Sequence, residues 1–158
     1  MKVMHALAMA SLATAPDAGS AAARRWFDAS RCTTRVALQA MGSVNSAQRD
    51  WRILQGHFQL YGFCDHGPVA EGYSQNVVAL LARKWKLLPE LDELGRTDPG
   101  FLEFVLAHID ATTDGYELET VRRNAERSCR SSEAKLCREI AAQATSALEE
   151  RNALRRKE

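Results

Sequence analysis

The sequence predicts a compact all-α domain, a bundle of about six helices stapled by two disulfides. Apolar residues recur at three- and four-residue spacing along most of the chain, whereas no convincing run alternates between apolar and polar residues as a strand does. Turn-forming residues separate these stretches, so the connections between helices are expected to be short. The four cysteines form an even set, which is typical of a disulfide framework.

Size and composition fit a single globular domain. The chain has 158 residues, of which 46% are hydrophobic and 26% are charged. The formal net charge is only +1, so the strong basic excess of nucleic-acid-binding proteins is missing and we expect no nucleic-acid partner. The apolar runs are shorter than the roughly 20 residues that a membrane-spanning helix needs, so no transmembrane segment is expected.

The first residues have the outline of a secretory signal. Lys2 is followed by a mostly apolar, small-residue stretch over positions 3–15, and three alanines before Arg24 offer a cleavage site. A disordered alanine-rich start is the other interpretation. We predict a signal peptide over 1–23, a helical domain over 24–150, a basic tail that frays over 151–158, and a periplasmic or secreted location.

The first half of the domain contains two strong helix patterns. Segment 24–45 is ambiguous, and a short first helix is one interpretation of it. A helix is predicted over 46–61, capped by Ser46 and ended by Gly62. Its apolar stripe consists of Trp51, Leu54, Phe58 and Tyr61.

The following helix is predicted to begin at Gly67-Pro68, because proline suits the first helical position. Its apolar stripe consists of Val69, Tyr73, Val77, Leu80, Leu81 and Trp85. Gly72 lies inside this helix, where glycine costs about 1 kcal/mol relative to alanine. We interpret it as a packing contact, at which another backbone comes close.

The remaining helices are each predicted from a start signal. These signals are Pro89, the pair Asp98-Pro99, the capping-box pair Asp114 and Glu117, and Ser131 or Ser132. The helix that begins at residue 89 is expected to be short and to end at residue 94, before Gly95.

The cysteines allow three pairings, and the residues favour one of them. The four are Cys32, Cys64, Cys129 and Cys137. We predict the disulfides Cys32–Cys64 and Cys129–Cys137, because a turn predicted at residues 130–132 would let the second pair staple two consecutive helices. Neither pair has the C-x-x-C spacing of a redox motif or a strong zinc site. In a reducing compartment the same residues would be inert core thiols.

Acidic residues are concentrated in one part of the chain. Residues 87–119 carry nine of them against the single basic residue Arg96. They form either a set of solvated helix faces or a patch that steers a basic partner. The candidate partner-binding residues are Glu90, Asp92, Glu93, Asp98 and Glu103.

The stretch YGFCDHGPVAEGYS, residues 61–74, contains residue types that bind metals and move protons. Asp65, His66 and Glu71 are therefore the alternative site. However, a zinc site would need a second Cys or His pair at a defined spacing, and a disulfide would remove the thiolate of Cys64. A helix-start role, with Asp65 accepting backbone N–H bonds, explains the carboxylates more simply.

No other catalytic motif is complete. The chain has no G-x-S-x-G elbow and no phosphate-binding glycine loop. His57 and His108 lie on the flanks of apolar stripes, where we expect a half-buried histidine with one hydrogen-bond partner. We therefore assign no catalytic residue, no metal and no cofactor.

One group of proteins shares the motifs of the central region. The shared segments are Cys64-Asp65-x-Gly67, Ala70-Glu71-Gly72-Tyr73-Ser74, Leu80-Leu81 with Trp85, and Phe104-Val105-Leu106-x-His108-Ile109-Asp110. On these segments the chain resembles, over about residues 51–137, a group of small exported bacterial proteins of unassigned function. It departs from them at residues 66–68, where the group has a more acidic turn. The resemblance implies export and an all-helical fold and brings no catalytic residue.

In size, disulfides and helical content the chain is also similar to periplasmic immunity proteins that neutralise cell-wall-degrading toxins. We therefore expect an exported, non-enzymatic domain whose acidic region binds a protein with a basic surface. The expected role is that of an immunity or inhibitor protein for a toxin or a cell-wall enzyme. The alternative is a small metal-dependent or acid–base hydrolase that uses the Cys64–Glu71 region. A structural component of the cell envelope is a third hypothesis.

Overall fold

The structure is a computed structural model that describes residues 25–157, and within this range it contains seven α-helices and no strand. The helices are α1 (Thr34–Val44), α2 (Trp51–Tyr61), α3 (Gly67–Arg83), α4 (Leu88–Thr97), α5 (Pro99–Ala107), α6 (Gly115–Arg127) and α7 (Ala134–Arg155). Short 3₁₀ turns lie between several of them. The predicted all-α class is confirmed, and the predicted signal peptide at residues 1–23 lies outside the described residues.

Aspartates start three of the helices. The side chain of Asp98 accepts the backbone N–H of Phe101 at 3.0 Å at the start of α5, and Asp114 caps α6 in the same way. Both caps were predicted. The start of α2 was predicted wrongly: the 3₁₀ turn Asn45–Arg49 precedes it, and Asp50, whose backbone is extended, is the cap in place of Ser46.

The helix predicted over residues 89–94 is longer than expected. It continues as α4 to Thr97, and Gly95 is a buried residue inside it. A Cβ atom at Gly95 would lie 2.9 Å from Cδ2 of Leu102 on α5, so this glycine allows two helices to approach closely. At the other end of the chain, α7 runs to Arg155, past residue 150, where the sequence had placed the start of the basic tail.

Helix α3 is the centre of the bundle. It is buried on most of its circumference, and its side chains contribute Tyr73, Val77 and Leu81 to the main core. A Cβ atom at Gly72 would lie 2.8 Å from Cγ1 of Val44, so the predicted packing contact is confirmed, with a side chain of α1 as the close neighbour. Around α3 the other helices form one continuous core, which makes it the scaffold for the side chains described below.

The disulfide Cys129–Cys137 joins the end of α6 to the first turn of α7, as predicted. These two helices pack along each other. Asn124 of α6 donates to the backbone carbonyls of Leu81 and Ala82, which attaches the pair to the end of α3. The bond therefore closes a local hairpin at one end of the bundle.

The disulfide Cys32–Cys64, also predicted, holds the N-terminal segment 25–33 against the rest of the domain. The backbone N–H of Asp28 donates to the carbonyl of Phe63 at 3.0 Å on the same side. The indole of Trp26 packs edge-on against the rings of Phe58 and Phe104. Part of the ambiguous segment is thus a strap over the core, and its helical part is α1.

Candidate functional site

A cleft of about 660 Å³ opens where the strap, the start of α3, the loop after α5 and the end of α7 meet. This volume is in the range of small-ligand sites. The lining residues are Trp26, Asp65, Gly67, Ala70, Glu71, Ser74, Ala107, His108, Asp110, Ala111, Thr112 and Glu150. The cleft thus gathers residues that are up to 124 positions apart in the sequence, from Trp26 to Glu150.

A chain of buried hydrogen bonds forms the floor of this cleft. Oδ2 of Asp65 accepts the indole N–H of Trp26 at 2.7 Å and lies 3.1 Å from Nε2 of His108. The other ring nitrogen of His108, Nδ1, lies 2.9 Å from Oγ of Ser74, which donates to Oδ2 of Asp110 at 2.6 Å. We call Asp65, His108, Ser74 and Asp110 the floor cluster.

Local structure fixes each member of the floor cluster. Asp65 directly follows the disulfide-bonded Cys64, and His108 is the residue at which α5 ends. Asp110 lies in the following turn, where its Oδ1 accepts the backbone N–H of Thr112 at 2.9 Å. Ser74 is held by the middle of α3. Four separate elements of the chain are therefore needed to build the cluster.

The floor cluster is not arranged for nucleophilic catalysis. Ser74 is only 1% exposed and lies inside a helix, whose backbone N–H groups cannot form an oxyanion hole for it. Its hydroxyl donates to Asp110 and contacts the carbonyl of Ala70 at 3.2 Å, whereas a nucleophile would give its proton to the imidazole. The arrangement can instead hold protons and direct carboxylates toward the cleft.

The charge of the cleft is negative. Four carboxylates line it, those of Asp65, Glu71, Asp110 and Glu150, and none of the lining residues is Lys or Arg. Within residues 25–157, Glu71 and Glu150 form no ion pair. The guanidinium of the adjacent Arg151 donates to the backbone carbonyls of Ala111 and Thr113.

A second buried polar cluster lies on the opposite side of Tyr73. Nδ1 of His57 lies 2.9 Å from the Tyr73 hydroxyl, and Nε2 lies 2.9 Å from Oγ of Ser43. Burial lowers the pKa of His57, because the charged imidazolium loses hydration. Burial also raises the pKa of Tyr73 well above its usual range, with a further contribution from the charge of Asp65. Both groups are therefore neutral at physiological pH.

Two of the three residues of the predicted alternative site come together. Asp65 and Glu71 line the same cleft, whereas His66 is exposed and packs edge-on against Phe27 outside it. His66 also occupies the cap position of α3 without a side-chain hydrogen bond, while the carboxylate of Asp65 bonds Trp26 and His108. The predicted helix-start role of Asp65 is therefore replaced by a tertiary one.

Sequence reasoning missed the importance of His108, Ser74 and Asp110. His108 was expected to be half-buried with one partner, but it is 5% exposed and bonded at both ring nitrogens. All three lie in the segments 70–74 and 104–110, on which the family resemblance rests. One signal in the sequence could have pointed to these residues: each of the two motif segments carries a polar residue next to an apolar stripe.

The predicted partner-binding residues lie on a different surface, formed by α4 and α5. We call Glu90, Asp92, Glu93, Asp98 and Glu103 the acidic face. Each of its members has a partner inside the molecule. Asp98 caps α5 and accepts the side-chain amide of Gln55 at 3.1 Å.

Three arginines pair with the other four members of the acidic face. Arg52 of α2 lies 2.9 Å from Glu90 and 3.6 Å from Glu93. Arg96 pairs with Asp92 on α4, and Arg25 of the strap pairs with Glu103. The three arginines thus offset most of the negative charge of these four acids, and two of the three come from distant parts of the chain.

Within residues 25–157 no three His, Cys, Asp or Glu side chains converge in a way that could hold a metal ion, and no helix is long and apolar enough to cross a membrane. All four cysteines are in disulfides. No protein-family model, curated protein or solved structure matches the chain.

Proposed function

We propose that the protein is an exported, non-enzymatic domain that binds a basic partner protein, and that the cleft receives a lysine or arginine side chain of that partner. One observation carries the proposal: four carboxylates line the cleft, and no lysine or arginine side chain does. Such a site attracts a cation and raises its rate of association. An immunity or inhibitor protein for a toxin or cell-wall enzyme is the role that fits this kind of binding.

The cleft is the primary contact in this proposal, and the acidic face is peripheral to it. Exposed ion pairs are worth at most about 1 kcal/mol, but a partner that used the acidic face would have to displace arginines that already occupy its carboxylates. The wall of the cleft formed by Trp26 offers an aromatic surface to the aliphatic part of the incoming side chain or to a guanidinium. Arginine is the better match, since its planar fork can bond two carboxylate oxygens.

Export is supported by the two disulfides, which persist in oxidising compartments, and by the signal peptide predicted over residues 1–23. A mass measurement of the exported protein without reduction tests this part. We expect a chain that begins at Arg24 and carries both disulfides. Recovery of the intact, reduced chain from the cytoplasm alone would contradict it.

The cleft is tested with an amidated hexa-arginine peptide as the probe, measured by titration calorimetry, and with hexa-citrulline as its neutral control. In the protein, Glu71→Gln with Glu150→Gln removes two exposed carboxylates of the cleft. We expect this variant to bind hexa-arginine about tenfold more weakly, which corresponds to about 1.4 kcal/mol. Hexa-citrulline should not bind measurably.

The matched control is Glu90→Gln with Glu93→Gln, which makes the same change of charge on the acidic face. We expect its affinity for hexa-arginine to stay within about twofold of the wild type. Equal losses in both variants would show that only the overall charge matters, and a loss confined to the control would assign binding to the acidic face.

A hydrolase is the second candidate, and one observation favours it: Asp65, Glu71 and His108 line a single cleft. Cys64 cannot take part as a thiolate, because it is oxidised. The hypothesis predicts turnover of an ester or glycoside substrate that His108→Gln abolishes. Absence of turnover across a panel of such substrates, together with binding of hexa-arginine, would favour the binding protein.

A further inference from the structure

The hydrogen bonds of the floor cluster need more hydrogens than its side chains supply when His108 is neutral and both carboxylates are ionised. Three contacts each require one hydrogen: Asp65 with His108, His108 with Ser74, and Ser74 with Asp110. A neutral imidazole supplies one, the hydroxyl of Ser74 supplies one, and ionised carboxylates supply none. The 3.2 Å contact of Ser74 with Ala70 adds no donor. The cluster is therefore one hydrogen short.

A third proton satisfies the cluster. It makes His108 an imidazolium that donates to Asp65 and Ser74, or it makes one carboxyl group neutral. In either form the net charge of the cluster is −1, and without the proton it is −2. Because Asp65, Ser74 and His108 are at least 95% buried, water cannot replace a missing hydrogen bond among them at low cost.

Other charged groups around the cluster favour keeping the third proton. The titratable or charged residues that border it are Glu71 and Tyr73 of α3 and Glu150 and Arg151 of α7. Two of these are carboxylates, and Tyr73 is neutral. Arg151 is the one cation among them, and its guanidinium is bonded to backbone carbonyls of the loop. The surroundings of the cluster are thus negative.

We propose that the empty cleft keeps this third proton and releases it to the solvent when a cationic side chain binds against Asp110. An N–H of the ligand then donates to Oδ2 of Asp110, and the hydroxyl of Ser74 turns to Nδ1 of His108. The ring keeps the hydrogen on Nε2, which it donates to Asp65. The bond from Ser74 to Asp110 is broken and the bond from the ligand to Asp110 takes its place, so the three remaining contacts have one hydrogen each. One positive charge enters and one leaves. Binding is therefore an exchange of a proton for a cation, and it rests on the proposed function of the cleft.

Half-exposure of Asp110 makes this exchange possible. Asp65 lies at the closed end of the cluster, where Trp26 covers it, whereas Asp110 is partly accessible and lines the cleft. Its other oxygen is held by Thr112, so Oδ2 is the atom left to choose between Ser74 and a ligand. The cluster thus connects an accessible acceptor to a buried histidine.

The experiment measures the binding of hexa-arginine to the intact, oxidised protein by calorimetry in buffers of different ionisation enthalpy. We expect about one proton released per bound peptide, and an affinity that rises up to tenfold per pH unit where the cluster is protonated. Ser74→Ala removes the bridging hydroxyl and with it the shortage, because the remaining Asp65–His108 contact needs only the hydrogen of a neutral ring. This variant should bind with no proton release.

Binding by the wild type with no release of protons would overturn the exchange and leave the proposed function intact. Equal release by the Ser74→Ala variant would also overturn it. Failure of hexa-arginine to bind would overturn the proposed function and the exchange together. The third proton has its own test in the free protein, since ¹⁵N and ¹³C NMR report the protonation of the His108 ring and of both carboxyl groups. A neutral ring between two ionised carboxylates would refute it.

Discussion

The acidic face and the cleft are both rich in carboxylates, and they differ in what surrounds those carboxylates. On the acidic face, three arginines pair with four acids, and the fifth acid caps a helix. In the cleft, Glu71 and Glu150 have no such partner among the described residues, and the other two carboxylates are bonded to Trp26, Ser74 and His108. The comparison teaches that the density of acidic residues in the sequence does not reveal which carboxylates lie without an arginine beside them.

Opening the disulfide Cys32–Cys64 should have the largest effect, because the strap belongs to both regions. It carries Trp26, which covers Asp65, and Arg25, which pairs with Glu103. In the double variant Cys32→Ser with Cys64→Ser we expect a loss of about 3.7 kcal/mol in the free energy of unfolding from loop entropy. Urea unfolding measures it, and binding of hexa-arginine should weaken as well.

The second disulfide is the matched control for this change. Loss of Cys129–Cys137 should cost about 2.6 kcal/mol, since it closes a shorter loop. It lies away from the cleft, so the affinity of the folded variant for hexa-arginine should stay unchanged. If both variants lost affinity equally, the strap would have no particular connection with the cleft.

A smaller effect is expected from His108→Ala, which compares a buried side chain of the cleft with an exposed one of the acidic face. This change removes one hydrogen bond each from the buried side chains of Asp65 and Ser74. Removing a hydrogen-bond partner from buried polar and charged groups costs about 3 kcal/mol. The same type of truncation on the acidic face, Glu93→Ala, should change the free energy of unfolding by less than about 1 kcal/mol. Chemical denaturation of both variants gives the comparison, and similar losses would show that the cleft is no more constrained than the surface.

The smallest effect is expected from Arg52→Ala, which tests whether acids that lose their arginine partner gain affinity for a cationic peptide. It releases Glu90 and Glu93 from their shared partner without adding any acidic residue. The free energy of unfolding should change by less than about 1 kcal/mol, because the pairs are exposed. Calorimetry should detect a gain of up to about twofold in affinity for hexa-arginine. A loss of affinity would mean that Arg52 has a role in binding that charge alone does not explain.

Local signals in the sequence predicted the parts of the fold that depend on neighbouring residues. The helix starts at Asp98 and Asp114, the proline start of α3 and the close contact at Gly72 each depend on a few adjacent positions. The disulfides could be predicted because four cysteines allow only three pairings. The end of α4 was missed, because glycine ends many helices and only the position of Leu102 shows why Gly95 does not.

The cleft depended on contacts that no local signal encodes. Asp65 has the sequence environment of a helix cap, and its partner His108 lies 43 residues away. The neutralisation of the acidic face likewise comes from Arg25 and Arg52, far from residues 87–119. Sequence reasoning could therefore name Asp65 and Glu71 as candidates, but it could not distinguish free carboxylates from paired ones.

Tyr73 and Ser74 are consecutive residues of α3, and they belong to different polar clusters. Tyr73 bonds His57, and Ser74 bonds His108 and Asp110. Apolar contacts tolerate a helix that rotates or slides slightly, because one methyl group can replace another. Hydrogen bonds are more demanding, since they need a donor–acceptor distance of about 2.7–3.2 Å and a nearly linear geometry. A rotation of α3 by one residue would break both clusters at once. Two separate sets of hydrogen bonds therefore fix the position and the rotation of the central helix. The geometry of the cleft thus follows directly from the packing of the core.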